Sequence, residues 1–162
     1  MKKWILSALL LSPLWANAQS ELNAQQAREG GESTVSAFEA EGLAGALRLS
    51  SDCMTQLPKG QRSLHYCLGI EAASMLLKKN QPATEDRTAQ AWFEGEEVTH
   101  RVLSYCYTFK GLRGDMQCLA QVSAAKSAVE PLTNAYAASQ AKRQQDLEAG
   151  SPHETAALLG RR

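Results

Sequence analysis

The four cysteines constrain this chain most, because they fall into two pairs that each bracket a turn-forming cluster. The pairs are Cys53 and Cys67 around residues 58–60, and Cys106 and Cys118 around residues 110–114. In an antiparallel helical hairpin, residues at equal distances from the turn face each other, and a disulfide requires Cα atoms within about 7 Å. Of the three pairings that four cysteines allow, we therefore predict the two local ones, Cys53–Cys67 and Cys106–Cys118.

A four-cysteine metal site is the alternative use of these thiols. Structural zinc sites draw their ligands from close pairs such as C-x₂₋₄-C, whereas thirteen and eleven residues separate the cysteines within each pair here. A redox-active pair is expected to show C-x-x-C spacing. The spacing therefore favours structural crosslinks, and we predict no cofactor and no bound metal.

The first 18 residues have the pattern of a cleavable bacterial signal peptide. Lys2 and Lys3 precede an apolar stretch over residues 4–14, and Ala16-Asn17-Ala18 supplies the small-x-small cleavage pattern. An uncleaved anchor is the alternative, but about eleven apolar residues are fewer than the roughly 20 that span a bilayer. We predict cleavage before Gln19, a periplasmic or secreted location and no membrane span in the remaining chain. Disulfides persist in such an oxidising compartment.

The charge balance argues against nucleic acid as a partner. The chain has 17 basic and 17 acidic residues, and loss of Lys2 and Lys3 leaves 15 basic ones. Nucleic-acid-binding domains show a basic patch or a strongly basic balance. We therefore predict that the partner is another envelope protein or a second copy of this chain.

Apolar residues recur at the three- and four-residue spacing of helices in four segments. These segments cover about residues 35–53, 61–79, 85–109 and 115–136, the last with Met116 and Leu119 on its predicted core face. We predict an all-α domain in which two disulfide-stapled antiparallel hairpins form a four-helix bundle-like arrangement. The predicted boundaries are a loose segment at 19–32, the helical domain at 33–140 and a polar, mobile tail at 141–162.

The two cysteine pairs belong to an internal repeat. Cys53 and Cys106 each follow an arginine by five residues and a serine by two, and Cys67 and Cys118 each precede a leucine. A Lys-Gly-x-Arg turn lies between the cysteines of both pairs, and one two-residue gap interrupts the register. The pattern indicates two related hairpins, with chance similarity as the alternative.

Two groups of residues are candidates for a functional surface. Glu97 and His100 form an E-x-x-H spacing, but this spacing lies opposite the core face of its helix and is predicted to be solvated. Phe93, His100 and Tyr107 are seven residues apart, with Leu103 beside them. A second apolar face of this kind predicts either packing within the fold or a surface for a partner.

Catalytic motifs are not recognisable in the sequence. Glu71 lies among apolar residues and would be a candidate acid or base if it were buried, but we predict that it is solvated. We predict a non-enzymatic protein that acts through protein–protein interaction, as an inhibitor, an immunity-type protein or an accessory envelope component. The alternative is a helical bundle that binds a small ligand or metal in its core through residues such as His65, Glu71 or the methionines. An enzyme would need Glu71 within hydrogen-bond reach of His65 or His100.

Overall fold

The computed structural model describes residues 12–79, 86–108 and 115–150, and every regular element in these ranges is helical. The elements are α1 (Ser12–Glu41), α2 (Leu43–Gln56), a 3₁₀ turn (Leu57–Lys59), α3 (Leu64–Lys78), α4 (Arg87–Trp92), α5 (Gly95–Thr108) and α6 (Asp115–Gly150). The described part of the chain contains no strand. The predicted all-α fold is therefore confirmed.

Three of the helices, α1, α3 and α6, run side by side in the same direction. Gly31 packs against Val129, and seven residues farther along both helices the Phe38 and Tyr136 rings meet edge-on with centroids 5.8 Å apart. Near the start of α3, His65 Nε2 lies 2.9 Å from Gln121 Oε1 of α6. The helices α2 and α5 return in the opposite direction, so the chain forms an up-and-down bundle with α3 at its centre.

Both predicted disulfides are present. Cys53–Cys67 joins α2 to α3 with the Cα atoms 5.7 Å apart, and Cys106–Cys118 joins α5 to α6 with the Cα atoms 5.8 Å apart. All four cysteines are buried. The structure therefore contains the two stapled hairpins that the spacing predicts, α2–α3 (hairpin 1) and α5–α6 (hairpin 2).

Two of the predicted continuous helices are broken. The segment 35–53 turns back at Gly42, whose φ of 63° lies in the left-handed region that glycine tolerates. The segment 85–109 is interrupted at residues 93–94, between α4 and α5. Asp86 begins α4 by accepting hydrogen bonds from the backbone N–H groups of Thr88 (3.0 Å) and Ala89 (3.2 Å), as an N-cap residue does. A helix can therefore begin at a polar cap or end at a single glycine even where the apolar spacing continues past that residue.

The prediction that residues 19–32 are loose is wrong, since they belong to α1. Small residues on this helix let it approach α3 closely: a Cβ atom at Gly30 would lie 2.1 Å from the Tyr66 carbonyl oxygen, and one at Gly69 would lie 2.0 Å from the Ala27 carbonyl oxygen. Ala27 itself is 1% exposed. The helix packs through its backbone and small side chains. Contacts of this kind cannot be recognised from the spacing of large apolar residues.

The boundaries of the two chain ends also differ in part from the prediction. The tail does not begin at residue 141, because α6 continues as an exposed helix to Gly150. Residues 151–162 and residues 1–11 lie outside the described residues, so the remainder of the predicted tail and most of the predicted signal peptide fall there. Within the described ranges, no helix combines the length and the apolar character needed to cross a membrane.

Candidate functional site

Glu71 lies on α3 in the middle of the bundle and is 1% exposed, so the prediction that it is solvated is wrong. The sequence does not show which side of α3 is buried, because this helix is apolar on several sides. The helix is apolar on several sides because it is central in the bundle and contacts α1, α2, α5 and α6. A helix enclosed in this way has no solvent face at its middle, and a carboxylate there must find its partners inside the protein.

The Glu71 carboxylate accepts four hydrogen bonds. Arg101 donates through Nη2 to Oε2 at 2.9 Å and through Nε to Oε1 at 3.3 Å, a two-point contact typical of arginine and carboxylate. Tyr105 Oη donates to Oε1 at 3.2 Å, and Ser50 Oγ donates to the same oxygen. We call Ser50, Glu71, Arg101 and Tyr105 the Glu71 network.

Aromatic side chains close the Glu71 network on its outer side. Trp92 Nε1 donates to Ser50 Oγ at 2.8 Å. The Arg101 guanidinium carbon lies 4.3 Å from the centroid of the Trp92 ring and 5.9 Å from that of Phe93, within the range of a cation–π contact. The network therefore connects hairpin 1 with α4 and α5.

The chemistry of the Glu71 network favours a structural role. Arg101 is 5% exposed and Tyr105 is 3% exposed. Burial, and then the neighbouring Glu71 carboxylate, raise the pKa of Tyr105 well above its ordinary value of 10.0. The phenol therefore keeps its proton and remains a donor. A buried ion pair brings little net stability, but removal of one member leaves an uncompensated charge, so both partners are needed where α3 packs on α5.

His65 and His100, the histidines within the described residues, do not join the Glu71 network. His65 lies beside Gln121, and His100 is exposed, as is Glu97 of the E-x-x-H spacing. The juxtaposition of Glu71 with His65 or His100 that an enzyme would need is not among the hydrogen bonds described for Glu71. In the part of the chain that the structure describes, no group of three His, Cys, Asp or Glu side chains could hold a metal ion.

The predicted second apolar face divides into two parts. Phe93 is 2% exposed and belongs to the core, so its assignment to a partner surface is wrong. The break before α5 removes Phe93 from the helical register of the other three residues. Leu103 is half-buried against the core, and His100 and Tyr107 face solvent.

A different set of exposed apolar side chains lies close in sequence to the cysteines of the Cys106–Cys118 disulfide. Tyr107 is 68% exposed, Met116 80% and Leu119 48%, and each lies within two residues of one of the bridged cysteines. These three residues, which we call the hairpin-2 face, account for three of the five exposed large apolar side chains in the described ranges; the other two are Leu22 and Leu147. Where exposed apolar side chains form a contiguous patch, the patch is a candidate interaction site.

The sequence placed Met116 and Leu119 on the core face of the last helix, and this prediction is wrong. Cys118 gives the signal that would have corrected it, because a disulfide within a hairpin fixes the inward direction of both helices. At about 100° per residue, Met116 lies about 160° from Cys118 around α6, whereas Ala125 lies nearly in line with it. Ala125 is 2% exposed. The cysteine was the better marker of the core than the apolar spacing.

Comparison with known proteins adds no relative from which site residues could be transferred. No protein-family model, no curated protein and no solved structure matches this chain.

Proposed function

We propose that this protein is exported to the periplasm, where it is oxidised and acts by binding another envelope protein through the hairpin-2 face. The observation that carries the proposal is the exposure of Tyr107, Met116 and Leu119 around one disulfide. The two disulfides are typical of proteins outside the cytoplasm, and the residues before Gln19 have the pattern of a signal peptide.

The disulfide makes the hairpin-2 face suitable for recognition. Because Cys106–Cys118 joins the two helices with their Cα atoms 5.8 Å apart, the apolar side chains beside it are held on a constrained backbone. A surface that is already ordered loses less conformational entropy on binding. Burial of these side chains by a partner would contribute roughly 25 cal/mol for each Å² of apolar area removed from water.

The exposed positions of α6 that follow Met116 carry little charge. From residue 116 to residue 127, Lys126 is the one charged side chain among the exposed positions of α6. The centres of protein–protein interfaces are likewise depleted of charged residues and rich in tyrosine and methionine. This composition favours a protein partner over nucleic acid, and the structural role of the Glu71 network favours a non-enzymatic function.

Site-specific photo-crosslinking in the exporting cell tests the proposal. A photoreactive amino acid replaces Met116 or Leu119, and the same replacement at Leu147 is the matched control. Leu147 is also exposed (75%) and lies on the same helix, about 42 Å farther along than Leu119. We expect one adduct of defined mass at positions 116 and 119 and none at position 147.

The crosslinking result has three outcomes that contradict the proposal. Equal adducts at all three positions would show nonspecific contact. An adduct of twice the chain mass would identify a second copy of this chain instead of another protein. The absence of adducts at positions 116 and 119, with the chain folded and oxidised in the periplasm, would show that the hairpin-2 face has no protein partner.

A small-ligand function is the second candidate, and one cavity favours it. A cavity of about 400 Å³ lies between α1 and α6, within the size range of ligand sites. Its apolar lining includes Val35, Leu132 and Tyr136, with Glu32 and Glu39 also present. Native mass spectrometry of the purified protein distinguishes the candidates, since a ligand-binding function predicts a retained non-protein mass that Leu132→Trp removes.

A further inference from the structure

Cleavage before Gln19 would make a glutamine the first residue of the mature chain, and the following inference rests on this part of the proposed function. Gln19 lies within α1 and is exposed. Its side-chain Nε2 donates to Asn23 Oδ1 at 3.2 Å, in an exposed contact one helical turn away. Such an exposed hydrogen bond contributes little net stability, so the side-chain carboxamide can turn toward the new α-amine.

We propose that Gln19 of the exported protein is converted to a pyroglutamyl residue. The α-amine nitrogen attacks the Cδ atom of its own side-chain carboxamide and forms the N–Cδ bond of a five-membered lactam. The Cδ–Nε2 bond breaks, and one proton from the amine leaves with the departing nitrogen as ammonia. Nothing is oxidised or reduced, and the reaction needs no co-reactant.

The fold favours the neutral lactam over an ammonium group at this position. After cleavage, Gln19 would be the first residue of α1, where the backbone N–H groups lack helical partners and carry partial positive charge. A protonated α-amine is disfavoured at this end of a helix. Cyclisation removes that charge and keeps the peptide-like polarity of the residue.

The surroundings of Gln19 support the same conclusion. Gln19 lines a cavity of about 340 Å³ together with residues of α1, α3 and α6; its other polar lining side chains are Ser20, Asn23, His65 and Gln121. The lining of this cavity contains no carboxylate that could pair with an ammonium group. Hydroxyl, amide and imidazole groups can instead bond to the N–H and C=O groups of a lactam.

Intact-mass measurement of the unreduced protein from the periplasm tests this inference. We expect the mass of residues 19–162, less four hydrogens for the two disulfides, and less one further ammonia after incubation at slightly alkaline pH, where an α-amine is largely neutral. Gln19→Ala is the matched control, because it keeps a free α-amine at the first position and has no side-chain carboxamide that could lose ammonia. This variant should show the same cleavage and disulfides without the loss of ammonia.

Each other outcome overturns the inference in a different way. A mass for residues 19–162 that retains the ammonia, with a first residue open to amine labelling, would overturn the modification and leave the export intact. Loss of ammonia in Gln19→Ala as well would place the reaction elsewhere in the chain. The mass of residues 1–162 would overturn both the modification and the proposed export.

Discussion

The two hairpins share a cysteine pattern and differ in what covers them. In hairpin 1, Leu68 follows Cys67 and is 1% exposed, whereas in hairpin 2 Leu119 follows Cys118 and is 48% exposed. Gly69, the next residue of hairpin 1, packs against the α1 backbone at Ala27. Its counterpart in hairpin 2, Ala120, is exposed. The helix α1 therefore covers hairpin 1 at Gly69, whereas the equivalent positions of hairpin 2, Leu119 and Ala120, are exposed.

The arginine five residues before the first cysteine of each hairpin shows the opposite difference in exposure, because here the residue of hairpin 1 is exposed and that of hairpin 2 is buried. Arg48 of hairpin 1 is on the surface and pairs with Glu41 at 2.6 Å, with both side chains substantially exposed. Arg101 of hairpin 2 is buried and pairs with Glu71 at 2.9 Å. The same residue in the same local pattern therefore forms an exposed pair with the end of α1 in hairpin 1 and a buried pair that joins the two hairpins in hairpin 2. Tertiary position, not local sequence, determines its role.

The largest expected difference in stability between the two hairpins comes from substitution of their arginines. Arg101→Met leaves the Glu71 carboxylate buried without its cation, and we expect a loss of about 3–5 kcal/mol in the free energy of unfolding. Arg48→Met removes an exposed pair and should change stability much less. Urea denaturation of both variants measures the difference. Equal losses would contradict the distinction between the two arginines, and an Arg101→Met/Glu71→Met double variant should recover part of the loss.

The two leucines give the next largest effect. Leu68→Ala creates a cavity in the core and should cost about 2–5 kcal/mol. Leu119→Ala removes a half-exposed side chain from the surface and should stay within about 0.5 kcal/mol. The midpoints of chemical denaturation check this pair. A comparable loss of stability in Leu119→Ala would show that Leu119 packs within the fold and is not available to a partner.

The smallest effect is a pH dependence that separates the two tyrosines of α5. Because the pKa of Tyr105 is raised in the folded protein, the unfolded chain loses this proton first. The stability that Tyr105 contributes is therefore complete below its ordinary pKa of 10.0 and declines as the pH rises above it. Tyr105→Phe should flatten this decline, whereas Tyr107→Phe, at the exposed position, should retain it. Thermal unfolding from neutral pH to above pH 10 measures both; an unchanged decline in Tyr105→Phe would contradict the assignment.

Local signals in the sequence were sufficient for the fold class and the crosslinks. The helical spacing predicted an all-α chain, and the positions of Cys53, Cys67, Cys106 and Cys118 around two turns predicted the pairing. These features depend on residues close together in the chain. Hairpin geometry alone relates each cysteine to its partner, so no knowledge of the remaining packing was needed.

The features that the sequence did not predict depend on how distant helices pack. Glu71 is buried because α3 is surrounded, and the sequence does not state how many neighbours a helix has. Residues 19–32 pack through Ala27 and Gly30, which contribute backbone contact and almost no apolar signal. Met116 and Leu119 are exposed, although α1 packs on the same helix farther along, at Val129 and Tyr136. The candidate site was therefore only partly predictable: of the four residues of the predicted second apolar face, His100 and Tyr107 are exposed, Leu103 is half-buried and Phe93 is buried.

Oxidation of Met116 tests the central claim most directly, namely that the hairpin-2 face is open in the isolated protein and covered in the cell. Mild peroxide treatment converts accessible methionine to its sulfoxide, and peptide mass spectrometry compares Met116 with the half-buried Met54 and Met75 of hairpin 1. We predict that Met116 reacts fastest in the purified protein and is protected several-fold in intact cells, while the ratio of Met54 to Met75 stays unchanged. Equal reactivity of Met116 in both settings would contradict the account.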